Sequence, residues 1–173
     1  MAVLVEAISV IIKIQSIEQH GGLPKFEELL KKREGTLCMD GLLARVGFMV
    51  PEDVEKYCRL LEEKGLLHQV DNKAHDFVVV DQQIGCTTPC DWLEVGEVDP
   101  GYGSIVCCRL VSDENLQVFT PDGWTFPGSL SDTFGFVPTG TDQKGLRFLR
   151  HDNGTDVYMN EVTGEEVYVG RST

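Results

Sequence analysis

The rhythm of apolar and polar positions changes three times along this chain. From Val3 to Ile14 the run is β-branched, and both alternate faces are mainly apolar although Glu6 interrupts them. That pattern predicts one central strand covered on two sides. From Leu23 the period becomes helical. Phe26, Leu29 and Leu30 fall at i, i+3, i+4, Pro24 suits a first turn, and Lys31, Lys32 and Arg33 gather at the C-terminal end before Gly35 stops the helix. Thr36 to Met39 and Leu42 to Met49 then read as strands joined by Asp40-Gly41, a two-residue hairpin loop whose positions both tolerate positive φ. Pro51 opens a second helix with Glu52 and Asp53 in its first turn, Val54, Tyr57, Cys58 and Leu61 as its apolar stripe, and Lys64-Gly65 as its end. Leu66 to Val70 and Phe77 to Asp81 follow as strands around the turn-like Asp71-Asn72-Lys73.

Strand, helix, two strands, helix, strands is an α+β order. It predicts two helices packed on a mainly antiparallel sheet, with the ferredoxin-like arrangement as the economical connection. After about Gly85 no helical period survives, and turn residues recur at Thr87-Thr88-Pro89, Asp99-Pro100-Gly101, Pro121-Asp122-Gly123, Asp152-Asn153-Gly154 and Thr163-Gly164. Between them lie β-like runs at Trp92 to Val98, Ser104 to Val111, Leu116 to Phe119, Leu146 to Arg150, Val157 to Val162 and Glu166 to Val169. The expectation is an α+β half over residues 1–85 and a helix-poor β-rich half over 86–173. The second half either shares or extends the core of the first, and a single domain satisfies the same pattern. Phe126 to Lys144 follows no period and reads as a long surface loop. Tyr158 to Gly164 reads as generic hairpin chemistry, and Asn153-Gly154-Thr155, although a glycosylation acceptor triplet, as a tight turn.

A hydrophobic fraction of 42% over 173 residues supplies a core and excludes wholesale disorder. The formal charge of -13 argues against nucleic-acid backbones and anionic lipid surfaces as partners. The acidity is regional. Residues 1–85 carry 14 acidic and 10 basic side chains, residues 86–173 carry 14 and 5, and between Cys86 and Gln143 Arg109 is the only basic one. The first apolar run has no basic leader and is too short to span a bilayer, so a cytoplasmic protein with reduced cysteines is expected.

Signature motifs of the common enzyme classes are absent. Cys86-x3-Cys90 has the spacing of half a zinc site or of a redox pair, but a closed zinc site needs two further ligands. Cys107 and Cys108, adjacent on a strand, point to opposite faces, and the four histidines show no paired spacing, so neither metal nor cofactor is expected. A cysteine nucleophile needs a positive environment. Asp81, Asp91, Glu94 and Glu97 surround this pair in sequence and predict raised thiols instead.

The segment from Asp81 to Trp92 gathers amides (Gln82, Gln83), the two thiols, Asp91 and an indole behind an apolar strand, which suits either a ligand cleft or a linker capping strand ends. Two functions follow. The leading one is a soluble, non-catalytic binding protein, inhibitor- or immunity-like, that presents Glu94, Glu97, Asp99 and their acidic neighbours to a basic protein. The alternative is a small-molecule enzyme, a hydrolase or transferase, with its cleft near Asp81 to Trp92. Polar groups converge on a concave pocket in the enzyme and spread over an open acidic face in the binder. The oligomeric state is not legible.

Overall fold

Glu6 divides the first apolar run. The computed structural model describes residues 1–133, 136–137, 145–152 and 155–170. In it the run becomes β1 (Ala2–Leu4) and β2 (Ile8–Lys13), which belong to different sheets. The expected single strand is thereby corrected. A buried carboxylate needs donors that a sheet ladder cannot supply, and Ala7 turns the chain with a φ of 52°. Ile14 leaves the ladder to begin α1 (Ile14–Gln19), a six-residue helix that the β-branched run concealed.

α2 (Leu23–Lys31) ends short of Gly35, because Arg33 N–H bonds back to Leu30 O and tightens the chain towards a 3₁₀ turn (Glu34–Thr36) that contains the glycine. There follow β3 (Cys38–Met39), β4 (Leu43–Phe48), α3 (Pro51–Glu63), β5 (Gln69–Val70), β6 (Lys73–Ala74), β7 (Phe77–Asp81) and β8 (Gly85–Cys86). The remainder comprises β9 (Leu93–Val98), β10 (Ile105–Leu110), β11 (Val118–Phe119), α4 (Leu130–Thr133), β12 (Phe136–Val137), β13 (Leu146–Asp152), β14 (Thr155–Asn160) and β15 (Glu166–Gly170). The α+β class expected from the sequence is the one observed. Of the stretch expected as a surface loop, α4 and β12 are described, while residues 134–135 and 138–144 lie outside the described residues, as do Asn153 and Gly154 of the expected tight turn.

The first sheet runs β3-β4-β2-β7-β8 with every pair antiparallel. Its inner order β7-β2-β4-β3, with α2 and α3 between the strands in sequence, is the ferredoxin-like order. Alternation divides the sheet's residues between two cores. Ile8, Val10 and Ile12 join Phe26, Leu29, Val54 and Leu61 on the helix side. Ile11, Leu43, Val78 and Val80 face Val3, Val5, Val106 and Cys108 of a second sheet, ordered β11-β1-β10-β9. Three layers result: helices, first sheet, second sheet. β1, from the start of the chain, lies inside the second sheet between β10 (Val3↔Cys108) and β11 (Val3↔Phe119). A third sheet runs β12-β15-β14-β13, and the fully buried Phe136 carries it to the helix-side core.

The hairpin at Asp40-Gly41 exists, but only Gly41 takes positive φ, at 91°. Asp40 Oδ1 accepts the N–H groups of Leu42 (2.8 Å) and Leu43 (2.7 Å). Two successive left-handed residues occur instead at Asp71 and Asn72, which join β5 to β6. Gly41→Val places a β-branched residue at that φ, in open space. It is expected to cost on the order of 1–3 kcal/mol, read as a lower urea midpoint with an unchanged denaturant slope.

Candidate functional site

The segment from Asp81 to Trp92 divides into two groups with different tasks. At the end of β7, Asp81 Oδ1 accepts N–H bonds from Gln83 (2.8 Å) and Ile84 (3.2 Å) and so closes the β7–β8 turn. Gln82 is buried; its Oε1 accepts Ala7 N–H at 2.8 Å, and its amide donates to Leu130 O at 3.1 Å. These two side chains fasten the frame, and Gln83 is exposed beside them.

The second group assembles around the sulfurs. β8 sets Cys86 opposite Val80 at the edge of the first sheet. Thr87 N–H then bonds to Val79 O, and Pro89 O accepts Ala74 N–H, so the chain curls back along β6 and β7. Trp92 Nε1–H reaches Ala74 O at 3.0 Å, while Lys13 Nζ, from the end of β2, lies 5.0 Å from the centroid of the Trp92 ring. This curl packs both Cys86 and Cys90 against the inter-sheet core.

The electrostatics at Cys90 correct the sequence-based expectation. The Cys86 hydrogen bond, the backbone N–H groups of Trp92 and Leu93 and the Lys13 ammonium together outweigh burial and bring the Cys90 thiol down to about 7. Its partner moves the other way: donation to Cys90 and burial push the Cys86 thiol up. The carboxylates nearby in sequence are turned elsewhere. Asp81 holds its turn, and Asp91 pairs with Lys73 at 2.7 Å. Burial raises the remaining thiols, Cys38 to about 11 and Cys58 to about 12, with Cys107 and Cys108 also above the ordinary range. Cys108 faces the inter-sheet core while its neighbour Cys107 points to the opposite face. Among the described residues no group of three or more His, Cys, Asp and Glu side chains converges as a metal centre would require.

The acidic residues of the second half do not form one sheet face. Arg109 pairs with Glu94 across β10 and β9 at 3.0 Å, and strand alternation puts Glu97 on the other side of the sheet from Glu94. Asp113 binds the N-terminal ammonium at 2.6 Å. Asp99 Oδ1 accepts Gly101 N–H (2.7 Å) and Gly103 N–H (3.1 Å), shaping the β9–β10 turn, and Glu97 accepts Ser104 Oγ–H at 3.3 Å. Asp142 lies outside the described residues.

That turn carries a feature the sequence reading missed. Tyr102, Trp124 and Phe126 form a three-ring cluster with centroids 5.4–6.5 Å apart and every pair inclined. Gly103 makes the cluster feasible: a Cβ there would meet Phe126 Cζ at 2.2 Å. Beneath it, Glu6 Oε1 accepts Trp124 Nε1–H at 2.7 Å, and Oε2 accepts both Ser131 N–H (2.7 Å) and Ser131 Oγ–H (2.8 Å). Tyr102 is 50% exposed, and Glu97, Asp99 and Asp122 flank the cluster along the chain with no ion pair among the described residues. Turn residues such as Pro121-Asp122-Gly123 were visible in the sequence; their approach to a turn twenty positions earlier was not.

Two further hollows are present, the first away from these groups and the second against Glu6 and Trp124. One of about 420 Å³ runs along α2 beside β3, lined by apolar Leu23, Leu30, Leu37 and Met39. Another of about 160 Å³ lies between Trp124 and the arginines Arg33 and Arg45. Arg45 is fully enclosed and satisfied, donating to Ser9 Oγ (2.9 Å), Thr36 O (2.9 Å) and Glu6 O (2.8 Å). Arg33 bonds to Gly47 O and stacks 4.1 Å from the Phe48 centroid. No protein-family model, curated protein or solved structure matches this chain. No helix among the described residues is long and apolar enough to cross a membrane.

Proposed function

We propose that this is a non-catalytic binding protein whose contact surface is the acidic, aromatic end of the β9–β10 hairpin, and that its partner is a basic protein. The observation that carries the reading is the half-exposed Tyr102 packed on Trp124 and Phe126, with Glu97, Asp99 and Asp122 near these rings in sequence and without an ion pair among the described residues. Aromatic side chains held by their neighbours lose little entropy on binding and dominate the energy of interfaces. Their faces also attract lysine and arginine. Unpaired carboxylates around them raise the association rate of a positively charged partner. An inhibitor or immunity protein acting on a basic target has this combination of anchor and field. Glu94, neutralised by Arg109 on the other side of the sheet, falls outside the surface.

A panel of basic proteins and arginine-rich peptides, measured by surface plasmon resonance across a salt series, tests the reading. Association is expected to slow steeply as salt rises. Glu97→Gln with Asp122→Asn is expected to slow association several-fold, whereas Tyr102→Ala raises the dissociation rate on the order of tenfold or more. Glu94→Gln leaves both rates unchanged. Salt-independent binding, or binding indifferent to Tyr102→Ala, rejects the surface.

A further inference from the structure

We propose that the hollow between Arg33, Arg45 and Trp124 is a binding site for a small organic monocarboxylate, with Arg33 as the residue that takes the carboxylate. The inference goes beyond the proposed partner surface and does not depend on it, although Trp124 borders both.

Three observations converge. The first is a pair of charges without counter-charges. Arg59 pairs with Glu55, Arg109 with Glu94 and Arg150 with Glu166, whereas neither Arg33 nor Arg45 has an ion pair among the described residues. The second is an edge of spare donors. Arg33 Nε (3.1 Å) and Nη2 both donate to Gly47 O, and the guanidinium stacks 4.1 Å from the Phe48 centroid, so two contacts hold it in place. Nη1 and the second N–H of Nη2 have no acceptor among the described residues, and this edge of a guanidinium matches the two oxygens of a carboxylate. Arg45 has a different part. Each of its nitrogens is already engaged, and it lies so close beneath Gly47 that a Cβ there would come within 2.7 Å of Nη2. It therefore supplies charge next to the residue that Arg33 grips.

The third observation is the lining, which sets the class of ligand. Glu6 also borders the hollow, but Trp124 and Ser131 occupy both of its carboxylate oxygens. Two guanidiniums against one carboxylate leave a single positive charge, which a monoanion balances and a dianion such as phosphate exceeds. Phe48, Pro121, Trp124 and Leu130 make the rest of the lining apolar, so the body of the ligand is apolar too. A volume of about 160 Å³ fits a molecule the size of benzoate and is too small for a drug-sized one.

The test titrates the whole chain with benzoate, with its neutral isostere benzamide and with inorganic phosphate, and follows the two indole N–H resonances by NMR. Trp92→Phe assigns them. Benzoate is expected to shift the Trp124 resonance saturably, at one equivalent per chain, and to leave that of Trp92 in place. Benzamide and phosphate are expected to bind at least about tenfold more weakly. Arg33→Lys keeps the charge but loses the two-point edge, so its benzoate affinity is expected to fall on the order of tenfold, and that of Arg33→Gln further. Urea midpoints show whether each variant is folded, and where Arg33→Gln is not, the comparison of benzoate with benzamide on the unaltered chain still decides. A Trp124 shift that does not saturate, equal binding of benzamide, tighter binding of phosphate, or a folded Arg33→Lys with undiminished affinity each overturns the proposal. None of these readouts involves the basic partner, so failure here leaves the proposed surface standing, and rejection of that surface leaves the carboxylate site standing.

Discussion

Glu6→Ala is expected to lower stability by about 3–5 kcal/mol, a larger loss than its position in a connecting segment suggests. The carboxylate is 8% exposed and accepts three bonds, from the Trp124 indole and from the amide and hydroxyl of Ser131. Removing it orphans donors in a site closed to water, each costing about 1–3 kcal/mol, and the hydroxyl recovers part of its share by rotating. It also frees the strap from Pro121 to Ser131, which the part-buried Gln82 amide holds at Leu130 O. Glu6→Gln keeps the shape and one acceptor but turns an amide N–H₂ towards a donor, so an intermediate loss is expected. Urea unfolding gives the magnitude, and a red-shifted indole emission with faster proteolysis between Pro121 and Ser131 reports the released strap. A loss under about 1 kcal/mol for Glu6→Ala means that water reaches these donors.

Phe77→Ala is expected to cost about 3–5 kcal/mol, and Phe77→Leu markedly less. Phe77 is 0% exposed, pairs with Ile12 in the centre of the first sheet and packs on the helix-side core. It also stacks on the His68 ring at 4.8 Å with planes 9° apart, which fixes the segment leaving α3. Truncation therefore opens a cavity and removes the support of that connection together. Equilibrium denaturation with hydrogen exchange on β2 and β7 checks this. A small loss shared evenly over the protein contradicts the central role given to this ring.

These two residues mark where the sequence is legible. α3 was readable throughout because Pro51, the Val54-Tyr57-Cys58-Leu61 stripe and Lys64-Gly65 are local signals, whereas the sheet order, for which the ferredoxin-like arrangement was one option, depends on contacts between distant strands. The break at Glu6 and Ala7 was hidden, since its cause lies in Trp124 and Ser131, far along the chain. Asp40-Gly41 and Asp71-Asn72 carry comparable turn chemistry. Which pair adopts successive left-handed residues depends on the strands that flank it. Cys90 was misjudged because sequence neighbours stood in for spatial ones. Its acidic neighbours point away, while its donors come from the following backbone and from β2. The separation of Glu94 from Glu97, by contrast, is dictated by strand alternation alone.

The placement of β1 has a kinetic meaning. Val3 finds Cys108 only after roughly a hundred residues have been made, so the second sheet closes a long loop and closes it late. Until then Ile11, Val78 and Val80 present an uncovered apolar sheet face to the cell's chaperones, although the helix-side core is already complete in its local contacts. The rate at which β10 arrives therefore sets how long that face stays uncovered.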